Sequence, residues 1–148
     1  MSGGIERNAG AGPGRKPERL LVSREAKSEN TVIRVKGIEI GGGAHVLVAG
    51  PCSVESKDQI FAAAAELSRA GVVLLRGGAF KPRTSPYDFQ GLGFEGLKLL
   101  RDAGRRYGMA TVSEIMHPDH IRPAEEFIDI IQIGARNRSE EHTSELQS

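Results

Sequence analysis

Arg76, Lys81 and Arg83 fall within eight residues of one another, in Arg76-Gly-Gly-Ala-Phe-Lys81-Pro-Arg83-Thr84-Ser85-Pro86, directly after a continuous apolar run. Arginine offers a planar fork that matches a carboxylate or phosphate, and lysine offers a compact point charge. Thr84 and Ser85 add hydroxyl donors. Gly77 and Gly78 allow the backbone to come close to a ligand, and Pro82 and Pro86 stiffen the loop. The chemistry implied is the binding of a small polyanion. The plainer reading is a solvated basic loop. Arg136 ends a different apolar run, and a fourth cation arriving there favours a cradle.

Cys52 is the only cysteine, and it follows a run ending in Gly50–Pro51. It could be a nucleophile or a soft metal ligand. It could equally be a small buried residue. No histidine is placed to give specific support to cysteine–histidine catalysis. Glu114 ends another apolar run and could orient a water or a cation, or close a rim salt bridge to a loop arginine. His117 and His120 have the spacing of a metal pair, but at a helix start a solvated or capping role is the better reading. Gly91-x-Gly93 does not have the strand-to-helix spacing of a dinucleotide site.

These residues need elements that bring them together. Thr31–Val35, Lys36–Gly37 and Ile38–Ile40 predict a small hairpin. Val46–Ala49, Val72–Leu75, Met109–Val112 and Ile128–Ile133 are short apolar runs, as expected of strands buried on both faces of a parallel sheet. Between the first two, Ser56 with Gln59 is a capping-box signature, Ile60, Ala64 and Leu67 recur at helical spacing, and Gly71 closes the helix. Phe94, Leu97, Leu100 and Ala103 mark a second helix that Gly108 ends. Pro118 suits the start of a third, which Pro123 should shorten or kink. Strand alternating with helix gives parallel strands, in a doubly wound sheet or a (β/α)8 barrel. In both, function sits at the strand C-terminal ends, and Cys52, Arg76, Glu114 and Arg136 all lie there.

Composition narrows the classes. The 148 residues carry a net charge of +1, so no broad field points to nucleic acid or an anionic membrane. A single cysteine rules out an internal disulfide and fits a reducing cytoplasm. No apolar run approaches the roughly 20 residues of a membrane span, and residues 1–30 hold little to bury, so they read as a disordered or weakly structured tail.

Several segments resemble one family. Val48-Ala-Gly-Pro-Cys-Ser-Val-Glu-Ser56 is similar to the first barrel strand of 3-deoxy-D-arabino-heptulosonate 7-phosphate (DAHP) synthases. Leu75-Arg-Gly-Gly-Ala-Phe-Lys-Pro-Arg-Thr-Ser-Pro-Tyr87, continuing through Phe89-Gln-Gly-Leu-Gly93, resembles the second. Ser113-Glu-Ile-Met116 resembles the third and Gln132-Ile-Gly-Ala-Arg-Asn137 the fourth. The short form of the DAHP/3-deoxy-octulosonate 8-phosphate (KDO8P) synthase family is the one resembled.

The resemblance implies an α/β fold: the N-terminal half of a (β/α)8 TIM barrel over residues 45–137, preceded by a β-hairpin over 31–44 and the tail. It implies a transferase that condenses phosphoenolpyruvate with erythrose 4-phosphate and water, giving DAHP and phosphate at the head of the shikimate pathway to aromatic amino acids. By carry-over, Cys52 binds a divalent metal ion that polarises the aldehyde. Arg76, Lys81 and Arg136 meet phosphoenolpyruvate. Arg83, Thr84 and Ser85 meet the phosphate of erythrose 4-phosphate. Lys81 and Glu114 are the expected catalytic groups, Glu114 holding water. A homo-oligomer is implied for the full-length protein. Lys81-Pro-Arg-Thr84 favours this enzyme over KDO8P synthase. A non-catalytic phosphate-binding barrel fragment is the alternative of another class, because four strands and one thiolate make neither a closed barrel nor a metal site. Residues 138–148 contain one aliphatic residue, Leu146, and read as a non-native polar tail. On its own the chain is expected to be poorly soluble or oligomeric, and inactive.

Overall fold

The computed structural model describes Arg24, residues 27–81, Tyr87 and residues 89–134. Most of the expected N-terminal tail, the polar tail at 138–148, and Arg83, Thr84, Ser85 and Arg136 lie outside the described residues.

Strands β1 (Ile33–Val35) and β2 (Ile38–Ile40) pair antiparallel, with Val35 opposite Ile38. Lys36 and Gly37 form the turn, both at positive φ (48° and 80°). Two positive φ values in a two-residue loop match the right-handed twist of the flanking strands. The second sheet contains β3 (Val48–Ala49), β4 (Leu74–Arg76), β5 (Ala110–Glu114) and β6 (Ile130–Gln132). All are parallel and stand in sequence order, so their C-terminal ends share one rim.

Helix α1 (Lys57–Arg69) connects β3 to β4, and α2 (Gly93–Tyr107) connects β4 to β5. Ser56 Oγ accepts from the Gln59 N–H at 3.1 Å, as the capping signature predicts. The return bond goes one residue further back than a standard box, because Gln59 Oε1 accepts from the Glu55 N–H at 3.0 Å. Gln59 Nε2 then donates to the Ser53 carbonyl at 2.9 Å, which fastens the loop carrying Cys52 to the helix start. Gly108, at φ 67°, caps α2 in the left-handed region. Between β5 and β6 a 3-10 turn (Pro118–His120) runs into the single turn of α3 (Ile121–Ala124). Pro123 therefore ends up in a first turn, where its missing N–H costs no helical bond.

Register sorts the sheet into two faces, since alternate rows of a strand point opposite ways. The row Ala49, Leu75, Thr111 and the row Ser113, Ile131 face the helices. There Leu75 joins Ile60, Ala64, Leu97, Leu100 and Ala103 in the main core. Full burial of each leucine contributes about 1.5–3 kcal/mol. The other face carries Leu74, Ala110 and Val112, which cluster with Val35, Ile38 and Ile40 of the hairpin. The hairpin thus covers the lower end of the inner sheet face. Lys36 secures it through an ion pair to Asp129 at 2.9 Å, and the same carboxylate accepts from the Thr111 N–H (2.8 Å) and hydroxyl (2.9 Å).

Two sequence expectations need correction. Only Val48–Ala49 of the Val46–Ala49 run pairs as a strand, because Val46 instead packs with the hairpin cluster. The strands are also not buried on both faces throughout. Val48 is 47% exposed, since the hairpin covers Leu74 and Ala110 in its row but does not cover Val48.

Candidate active site

The upper end of the inner face is polar. Arg76 lies in the row of Val112 and Ile130, and Glu114 in the next such row beside Gln132. A row therefore carries each of them to the rim on the side away from the helices. β3 delivers Cys52 to the same rim through Gly50–Pro51.

Three predicted residues meet there. Arg76 Nη1 donates to the Cys52 carbonyl at 3.4 Å. Lys81 Nζ donates to the same carbonyl and also lies 3.1 Å from Cys52 Sγ. The glycines make this approach possible. A Cβ on Gly78 would stand 2.6 Å from the Cys52 carbonyl oxygen and 3.1 Å from Lys81 Nζ. A Cβ on Gly50 would stand 1.8 Å from the Arg76 carbonyl oxygen. Main-chain bonds fix the rest of the rim: Val54 N–H to Gly78 O at 2.9 Å, Gly77 N–H to Val112 O at 3.0 Å, and Lys81 N–H to Gln90 O at 2.9 Å.

The Cys52 thiol is exposed, so it is not the core filler that its residue type favours. Its pKa is lowered, first by the Lys81 hydrogen bond and charge and then by Arg76, against a small opposing effect of burial. Among the described residues, neither Arg76 nor Lys81 pairs with a carboxylate. Two cations on one rim without a carboxylate partner among the described residues are chemically suited to an anion.

Glu114 ends β5 as expected but does not join this trio. Its carboxylate lies over Gly134, where an added Cβ would stand 1.9 Å from Oε1. Gly134 thus leaves room for the acid at the end of β6. His117 Nδ1 accepts from the Asp119 N–H at 3.3 Å, a capping role. His120 instead packs its ring among Phe80 and Phe94. The solvated or capping role expected of His120 is therefore corrected, because the pattern gave no sign that Phe80 of the cationic loop and Phe94 of the second helix would enclose its ring.

Among the described residues no group of three or more His, Cys, Asp or Glu could hold a metal ion. Cys52 offers one soft donor, and an ammonium already faces its sulfur. The described residues alone therefore do not fit a divalent ion, which needs several donors. No described helix is long and apolar enough to cross a membrane.

A sequence model of the DAHP synthetase I family matches residues 24–148. The phospho-2-dehydro-3-deoxyheptonate aldolase of Thermotoga maritima is 53% identical over 117 residues, which are 79% of this chain and 35% of that protein. The 2-dehydro-3-deoxyphosphooctonate aldolase of Citrifermentans bemidjiense is 34% identical over 111 residues, covering 70% of this chain and 41% of that one. The crystal structure of the Thermotoga maritima enzyme superposes with a TM-score of 0.74 at 51% identity, over 80% of this chain and 35% of that chain. With that superposition, the four parallel strands in sequence order are those of a partial (β/α)8 barrel. The chain spans about a third of the length of that relative. The family match over residues 24–148 shows that this chain belongs to the DAHP synthetase I family.

Proposed function

We propose that this chain forms the phosphoenolpyruvate-binding side of a 3-deoxy-7-phosphoheptulonate synthase, a transferase that joins phosphoenolpyruvate to erythrose 4-phosphate. The observation that carries this is the convergence of Arg76 and Lys81, uncompensated by described carboxylates, on one strand-end rim. In the reaction, C3 of phosphoenolpyruvate bonds to the aldehyde carbon, whose oxygen gains a proton. Water adds to C2, and phosphate leaves with its bridging oxygen. Arg76 and Lys81 hold the phosphate and carboxylate of phosphoenolpyruvate and offset the repulsion between two anionic substrates. Glu114 orients the water that adds to C2. Arg136 extends the phosphoenolpyruvate site, and Arg83, Thr84 and Ser85 receive the phosphate of the sugar. Cys52 would be one ligand of a divalent ion only where residues beyond those described complete its site, and such an ion would supply Lewis acidity. We place the reaction in the cytoplasm, on small-molecule substrates, with neither nucleic acid nor a membrane as partner, in a homo-oligomer of the full-length protein.

The relative from Citrifermentans bemidjiense makes octulosonate chemistry the second reading. A chimera tests both: residues 31–134 replace the matched segment of the Thermotoga maritima relative, and phosphate release is followed with each aldose phosphate. Release should require phosphoenolpyruvate and erythrose 4-phosphate together, and Arg76→Ala should slow it roughly 100-fold. Preference for arabinose 5-phosphate would move the assignment to KDO8P synthase. A folded chimera inert with both sugars would sink the proposal. The 148-residue chain alone should release none.

A further inference from the structure

Phe80 immediately precedes Lys81, and its ring is held from two sides. His120 stacks on it with ring centroids 5.2 Å apart and planes 25° apart. Phe94, from the first turn of α2, meets Phe80 edge-on at 5.5 Å and His120 edge-on at 5.4 Å. Three rings from the loop after β4, from α2 and from the 3-10 turn after β5 therefore touch one another. Phe80 and Phe94 also pack against the main core. His120 Nδ1 is inaccessible and has no hydrogen-bond partner. A buried imidazole nitrogen without a partner is a cost that an apolar ring would avoid.

We propose that His120 is a positioning residue for Lys81. Backbone bonds fix the Lys81 N–H to Gln90 and Ala79 O to the Gly93 N–H, both at 2.9 Å. The first of these uses the N–H of the Phe80–Lys81 peptide itself, so the two bonds pin the chain on either side of the Phe80 side chain. The ring of Phe80 holds that stretch in place, with His120 stacked on it and Phe94 meeting it edge-on. Lys81 Nζ can then reach across to Cys52 Sγ at 3.1 Å. The segment after β5 thereby orients a cation on the loop after β4, linking the strand end that carries Glu114 to the cationic rim. The inference rests on the proposed synthase reading only for its consequence, phosphoenolpyruvate binding. The placement of Lys81 stands apart from it.

The test uses a short amine-to-thiol cross-linker on the metal-free 148-residue chain, with the Lys81–Cys52 peptide quantified by mass spectrometry. Cys52 is the only cysteine, so the thiol end of the link is unambiguous. His120→Ala should lower the cross-link yield about fivefold, and His120→Phe, which keeps a ring in place, should restore it to within about twofold. Leu67→Ala, a core truncation in α1, serves as the control for general loosening. An unchanged yield in His120→Ala, or an equal loss in Leu67→Ala, overturns the inference. Calorimetric titration with phosphoenolpyruvate is the second arm, and binding should weaken in parallel with the cross-link. If the cross-link responds and the unsubstituted chain binds no phosphoenolpyruvate, His120 still positions Lys81 and the synthase reading is what fails.

Discussion

Gly50→Ala should be the most damaging glycine substitution at the rim, for reasons that can be separated experimentally. Gly50 has φ 152°, a conformation L residues rarely adopt, and sits where β3 meets β4. A Cβ there would lie 1.8 Å from the Arg76 carbonyl oxygen, 2.8 Å from its carbon and 3.0 Å from the Arg76 nitrogen. These are backbone atoms of a central strand, so no side-chain rotation relieves the clash. Backbone strain of this kind costs about 1–3 kcal/mol. Separating the two-residue β3 from β4 loses a further ~1 kcal/mol for each ladder bond broken. The sum is about 3 kcal/mol.

Two other glycines resolve the contributions. Gly37 has φ 80° but nothing within 4 Å of an added Cβ, so Gly37→Ala reports strain alone, about 1 kcal/mol. Gly43 has neither a positive φ nor a neighbour, so Gly43→Ala should stay within about 0.5 kcal/mol of the parent. In urea unfolding followed by circular dichroism, a slope of about 2 kcal/mol/M turns 3 kcal/mol into a midpoint drop of about 1.5 M. The order should be Gly43→Ala, then Gly37→Ala, then Gly50→Ala. Coincident midpoints for Gly37→Ala and Gly50→Ala would refute the claim that the Arg76 carbonyl blocks the position.

Local signals were the ones the sequence conveyed. Ser56 and Gln59 marked a helix start, Gly108 a helix end, and Lys36–Gly37 a turn, because each acts through neighbours a few residues away. The placement of Cys52, Arg76 and Glu114 on one rim was legible too, since parallel strands in sequence order must end on the same side. What stayed hidden depends on contacts between distant segments. Nothing in the pattern shows that Lys81 folds back onto Cys52, because that requires Gly78 to lack a Cβ at one point in space. Asp129 lay unremarked within the Ile128–Ile133 run, yet it ties the hairpin through Lys36 to the start of β5 through Thr111. The apolar runs suggested burial on two faces, but hydropathy does not say what covers each face, and Val48 is left open.

Two further perturbations read charge directly. Lys81→Met removes the largest cause of the lowered Cys52 pKa, so the pH at which iodoacetamide alkylation of the metal-free chain is half-maximal should move up. An unmoved profile would mean that Lys81 does not rest on the thiol in solution. Asp129→Asn tests the hairpin tether. Burial pushes the Asp129 carboxyl up, but hydrogen bonds from Lys36 and from the Thr111 N–H and hydroxyl, with the Lys36 charge, outweigh it and hold the pKa below the ordinary value. A carboxylate with a depressed folded-state pKa adds stability above its unfolded pKa, about 3.9, and that contribution disappears as pH falls through the lower folded-state value. The parent should therefore exceed Asp129→Asn by about 1–3 kcal/mol between roughly pH 5 and 7, and the gap should close under stronger acid. A gap that stays constant down to about pH 2 would show that the ionised carboxylate is not what holds Lys36 and Thr111 together.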